Sequence, residues 1–173
     1  MSDAQPYAQA RPGPILVATC GNSMGGDDAF GPLVAGALRQ RPVRGIEILD
    51  LHGNPAQLLD HIEGCRALLL VDAAMGANMR PGQLLDMPWS AARERLHLSA
   101  RSLSSHDPSL VDQLALAETL GQLPQYARLI VLIIPDAELG RAPRPLLLRR
   151  ALAAARQIHR HAKLHLTHDA SSC

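Results

Sequence analysis

The sequence predicts an α/β layered domain built on a mostly parallel five-stranded sheet. Three observations carry that expectation. Short apolar runs of strand length, buried on both faces as parallel strands are, alternate with segments of helical periodicity. Helix starts are marked by a cap residue and then proline, at Asn54-Pro55 and Asp107-Pro108, and helix ends by glycine, at Gly64 and Gly121. At 173 residues and 47% apolar content, the chain is long enough to bury one substantial core.

In order, Ile15–Thr19 is a β-branched apolar run between Pro14 and Gly21-Asn22, the first strand. Residues 29–40 place Phe30, Leu33, Val34, Ala37 and Leu38 at helical spacing. A second strand covers 46–51, and the helix opened by Pro55 buries Leu58, Leu59 and Ile62 before Gly64. Residues 67–73 form a third, wholly apolar strand up to Asp72. A short extended segment at 83–87 precedes an irregular stretch, 89–105, with one helical turn. The helix from Pro108 runs over Leu110, Val111, Leu114 and Ala117 to Leu120. Residues 127–134 are the last strand, closed by Pro135, and Pro145 opens a final helix reaching about His159. The organisation expected is an N-terminal extension (1–14), a single α/β domain (15–160) and a flexible His-containing tail (161–173).

Composition narrows the function. Lys and Arg number 17 against 16 Asp and Glu, a net charge of +1, which excludes broad electrostatic capture of nucleic acid or an anionic membrane. Trp89, Tyr7, Tyr126 and Phe30 are the whole aromatic complement, too few for a base-stacking platform. Cys20, Cys65 and Cys173 are odd in number and widely spaced, unlike a disulfide framework or a zinc ribbon. The longest apolar runs, such as 129–134, are too short to span a bilayer. Residues 1–14 are polar with no signal-peptide core, so a cytoplasmic location is expected.

In a parallel sheet, functional groups gather on the loops beyond the carboxyl ends of the strands. Those loops carry Gly21-Asn22-Ser23-Met24-Gly25-Gly26-Asp27-Asp28, then His52-Gly53-Asn54, then Asp72, and Ser105-His106-Asp107 ahead of the later helix. The glycines do not fit the spacing of a dinucleotide fingerprint or a P-loop, and two adjacent acids would repel phosphate at a helix N-terminus. Asp28, Asp72 and His106 together offer two oxygens and one nitrogen, a set for a divalent metal such as nickel, zinc or manganese, or for acid–base work. Each has a plainer reading. One of Asp27 and Asp28 serves as N-cap to the helix from Ala29, Asp107 caps the next helix, and a loop histidine needs no more than a hydrogen-bond partner. Asp72, closing an apolar run, is the residue hardest to explain by packing.

Gly21-Asn22, Gly26-Asp27-Asp28-Ala29-Phe30-Gly31, Val71-Asp72-Ala73 and Ser105-His106, in that order, resemble the hydrogenase maturation protease family. The resemblance covers about 15–160, and Ile134-Pro135-Asp136 resembles the family's strand ending in Pro-Glu. It implies a twisted, mainly parallel sheet between helices, and an endopeptidase that trims the C-terminal extension of a [NiFe]-hydrogenase large-subunit precursor. By position the family's three metal-contacting residues fall on Asp28, Asp72 and His106, which are then also the catalytic set. Asp28 stands where the family carries Glu or Asp, and Ala29 where Gly is frequent. The implied metal is nickel carried by the substrate, with no organic cofactor, so that cleavage follows metal loading. Whether the ion or a carboxylate activates the attacking water stays open at this level. Two alternatives remain: a non-catalytic module docking on a hydrogenase subunit as a checkpoint, and a nucleotide-binding α/β domain. Ser23, Ser104 and Ser105 lack a base and orienter, and Cys20 ends a buried strand as a small hydrophobe.

The chain's last histidines allow two readings. His161 and His165 are four residues apart and would share a helix face able to gather nickel, or they belong to a solvated, fraying end. The second is the expectation.

Overall fold

Alternate residues of the strands point to opposite sides of one sheet, and each side has its own helices to cover it. The computed structural model of the chain describes residues 13–75, 79–99, 110–136, 140 and 142–167. The strands are β1 (Ile15–Thr19), β2 (Ile46–Asp50), β3 (Ala67–Ala74), β4 (Leu84–Pro88) and β5 (Tyr126–Ile133), in spatial order β2-β1-β3-β5-β4. All neighbours are parallel except β4, which pairs antiparallel with β5 at the edge. The α/β class and the mostly parallel five-stranded sheet between helices are therefore as the sequence predicts.

The helices are α1 (Phe30–Gln40), α2 (Leu58–His61), α3 (Trp89–Ser99), α4 (Leu110–Thr119) and α5 (Pro145–Thr167). Ile15, Val17, Leu69, Val71, Ile130 and Leu132 face one side, against Phe30 and Val34 of α1 and Ala151 and Ile158 of α5. Leu16, Ala18, Leu68, Leu70 and Leu129 face the other, against Leu58 of α2, Trp89 of α3 and Leu114 of α4. No helix among the described residues is long and apolar enough to cross a membrane.

Two elements differ from expectation. Residues 89–99 form three turns of helix where the sequence reads as irregular. The run is rich in good helix formers (Ala, Arg, Glu, Leu), and Trp89 anchors it from both ends of its ring system. The indole body is buried, while Nε1 donates to Glu118 of α4 at 3.1 Å and Arg93 pairs with the same carboxylate at 3.0 Å.

The second difference is at the chain's end. α5 continues to Thr167, so residues 161–167 are helix rather than a flexible tail; His168–Cys173 lie outside the described residues. Polarity suggested a loose end, but the polar groups of this turn find partners. The Tyr126 hydroxyl bonds His161 Nδ1 at 2.7 Å, and His161 Nε2 bonds Asp86 at 2.7 Å. Arg128 Nε donates to the same Asp86 carboxylate at 2.8 Å. Burial alone would raise the Asp86 carboxyl, yet the hydrogen bonds from His161 and Arg128 outweigh it and hold it below its ordinary value. The His165 ring lies against Tyr126, tilted by 57° with centroids 3.9 Å apart, and Ala162 is fully buried. Both ring nitrogens of His161 are thus engaged in hydrogen bonds within the fold. Truncation after Arg160 is accordingly expected to lower stability by about 2–4 kcal/mol, from lost burial and lost hydrogen bonds. Urea denaturation of the truncated chain measures it, and an unchanged midpoint would refute the docking role of this turn.

Candidate active site

The carboxyl ends of β1, β2 and β3 lie side by side, with Thr19 in register with Asp50 on one flank and Val71 on the other. Beyond Thr19 the chain stays attached to its neighbour, since Cys20 N–H donates to Val71 C=O at 2.8 Å. It then turns at Gly21, whose φ of 126° is a glycine conformation and whose added Cβ would lie 2.2 Å from the Asp28 carbonyl oxygen. The loop folds back as a chain of turns. Gly25 N–H donates to Asn22 C=O and Asp28 N–H to Gly25 C=O, each at 2.9 Å, before a 3-10 turn, Gly26–Ala29, leads into α1.

Within this loop the two adjacent acids have different environments. Asp28 is half-buried, and its Oδ2 accepts the Asn22 N–H at 2.9 Å, inside its own loop. Asp27 is 6% exposed and reaches across the molecule. Its Oδ1 accepts the Arg144 backbone N–H at 3.1 Å and its Oδ2 accepts Arg144 Nη1–H at 2.5 Å. Neither the 3-10 turn nor α1 has a side-chain cap, so the N-cap reading of these acids is corrected. The reason is competition: a buried carboxylate is better satisfied by a guanidinium than by a neutral amide.

Asp72 shares the parity of Leu68 and Leu70 and so stands on the side of the sheet covered by α2, α3 and α4. Its Oδ1 accepts the N–H of Ala73 at 2.8 Å. Burial, with Asp28 adding repulsion, pushes its carboxyl up to about 7 against the relief given by that bond. His106 lies outside the described residues. Asp28 and Asp72 are thus brought to one sheet edge. Among the described residues no three His, Cys, Asp or Glu side chains are grouped to hold a metal ion.

Asp50 is an acid that the sequence expectation leaves out. It closes β2 as Asp72 nearly closes β3, which is the signal that would have found it. Its Oδ1 accepts the N–H of His52, a non-glycine residue at φ 45°, at 3.2 Å. Asp72, Asp28 and Asp50 all act on the Cys20 thiol. Burial first, then these carboxylates, push it up to about 12, so it stays protonated and is no nucleophile. Beside the loop, an open cleft of about 220 Å³ runs between Asp27, Arg144, Ile134, Pro135 and Leu146.

This edge can present carboxylates to a cation and exclude thiol chemistry. The profile of the hydrogenase maturation protease family (HycI) matches residues 33–143. The chain belongs to that family. The protease is similar in structure to the hydrogenase maturating endopeptidase HybD from E. coli, at 25% identity and a TM-score of 0.72, over 84% of this chain and 89% of that one. It is similar also to an endopeptidase from Escherichia coli solved in solution, at 25% identity and a TM-score of 0.73 over the same shares. The [NiFe] hydrogenase maturation protease HycI from Thermococcus kodakarensis KOD1 shares the fold, at 23% identity and a TM-score of 0.67 over 87% and 92% of the two chains. No protein of curated function matches the chain. The protease is a hydrolase, an endopeptidase of hydrogenase maturation, which selects the enzyme over the docking-module and nucleotide-binding alternatives.

Proposed function

We propose that the protease removes the C-terminal extension of a [NiFe]-hydrogenase large-subunit precursor once nickel has been inserted, and that Asp28, Asp72 and His106 contact the substrate-bound nickel. The observation that carries this reading is that Asp28 and Asp72 stand at one sheet edge, each holding a single backbone N–H, with burial first and Asp28 second raising the Asp72 carboxyl to about 7. Two carboxylates held close are individually costly and jointly favourable to a divalent cation, which cancels the repulsion. A site with so few ligands of its own holds a free ion weakly. A precursor that brings nickel with its other ligands completes the coordination sphere, and only then is the complex tight. Loading and cleavage are coupled in this way without a separate sensor.

The chain's own residues divide the work. Asp28 is held by Asn22 and Asp72 by Ala73, so both carboxylates keep a second oxygen for the ion. The bound ion can polarise the scissile carbonyl or acidify an attacking water. Cys20, kept protonated, contributes no acyl-enzyme step.

The test is cleavage of purified precursor, nickel-loaded and nickel-free, followed by mass spectrometry. Shortening of the loaded precursor alone is the expected result. Equal cleavage of both forms would refute nickel recognition, and no shortening of either would refute C-terminal removal.

A further inference from the structure

We propose that Arg144 is the positioning residue that sets the place of Asp28, acting through Asp27. For cleavage, this rests on the reading of Asp28 as a group of the site.

Arg144 immediately precedes Pro145, the first residue of α5. Its backbone N–H and Nη1–H both go to the Asp27 carboxylate, while Nη2–H donates to Asp136 Oδ2 at 2.7 Å, just beyond β5. One guanidinium therefore ties together the loop after β1, the end of β5 and the start of α5. A backbone bond from Gly140 N–H to Met24 C=O, 2.9 Å, adds a second tie between the same loop and the segment before α5.

Asp27 and Asp28 are consecutive residues of one 3-10 turn, in which each step rotates the side chain by about 120°. Fixing the direction of one therefore fixes that of the other. Asp27 points inward and is almost fully buried, so its carboxylate must be paired wherever the turn settles. Since no cap amide takes it, its partner lies 117 residues away, and the rotation of the turn is decided by Arg144. The Asp28 carboxylate is left against the Asn22 N–H, near enough to the strand ends to act on Asp72 and Cys20. Lysine would not substitute fully. The planar fork reaches Asp27 and Asp136 at once, whereas an ammonium is a single point charge.

Arg144→Gln and Arg144→Lys should be compared with wild type by two readouts. The first is amide hydrogen exchange at Asn22, whose N–H reports the Asp28 carboxylate directly; the second is kcat/KM on nickel-loaded precursor. In Arg144→Gln, Asn22 should lose protection and kcat/KM should fall, each roughly tenfold or more, while the Leu69 amide keeps its protection. Arg144→Lys should lie between. Because Arg144 acts through Asp27, the double variant with Asp27→Asn should be no worse than the worse single one. Unchanged Asn22 protection in Arg144→Gln would overturn the proposal, whatever happens to cleavage. Lost protection with full cleavage would uphold the placement and overturn the role of Asp28 instead. If Arg144→Gln does not fold, Arg144→Lys carries the same two readouts.

Discussion

Asp72→Asn is expected to abolish cleavage of the precursor and, in the same protein, to stabilise the fold at neutral and alkaline pH. The two effects share one cause. The folded-state carboxyl of Asp72 is raised to about 7, by burial and then by Asp28, against an ordinary value of 3.8. An acid raised on folding favours the native state only while protonated. Its ionisation therefore costs stability progressively as pH rises from about 4 to about 7, and the full cost, at most about 4 kcal/mol, is present above that. Asparagine keeps the shape and removes the cost, but it also removes the charge that a divalent ion requires. Thermal unfolding at pH 5 and pH 8 should show a gap between variant and wild type that widens at the higher pH. A destabilised Asp72→Asn would mean that the carboxylate is a structural partner rather than a group held ready for substrate. Asp28→Asn should also lose cleavage, with circular dichroism unchanged.

Gly31→Ala is expected to cost about 3 kcal/mol or more, a large effect for one methyl group. The added Cβ would stand 1.9 Å from the Cys20 carbonyl oxygen and 2.9 Å from its carbon. Both are backbone atoms at the end of β1 and cannot swing aside. The start of α1 would have to lift from the sheet, taking Phe30 out of its fully buried place and disturbing the loop that carries Asp28. Gly36, in the same helix, is the control. A Cβ there meets nothing within 4 Å, so Gly36→Ala should stabilise by about 0.5–1 kcal/mol through helix propensity. Urea midpoints of the two variants measure both, and equal behaviour would show that contact with β1 is not what glycine at position 31 serves.

Much of this architecture is written locally in the chain. Strand runs such as Ile15–Thr19 and the residues of β3 are identifiable because burial on both faces demands an unbroken apolar run. Asp72 stands out for the same reason, as a carboxylate where packing would place a hydrophobe. The proline marks of α2 and α5, and the glycine after α2, work within a turn or two of where they stand. The fold class, and the placing of Asp28 and Asp72 after the first and third strand runs, were therefore determined by the sequence alone, whereas Asp50 was not singled out.

What tertiary structure decided is where polar side chains find partners. Nothing near Asp27 in the chain announces Arg144, 117 residues on, so a cap was the natural local reading. Nothing near His161 announces Asp86 or Tyr126, so the last turns of α5 read as a loose end. The same holds for Trp89 and Glu118, which turn an irregular-looking stretch into α3. Hydrophobic periodicity and capping depend on neighbours within a few residues and survive in the sequence as pattern. The energy of a buried charge or hydrogen bond depends on which distant group the fold delivers to it, and only the assembled sheet and helices supply that group.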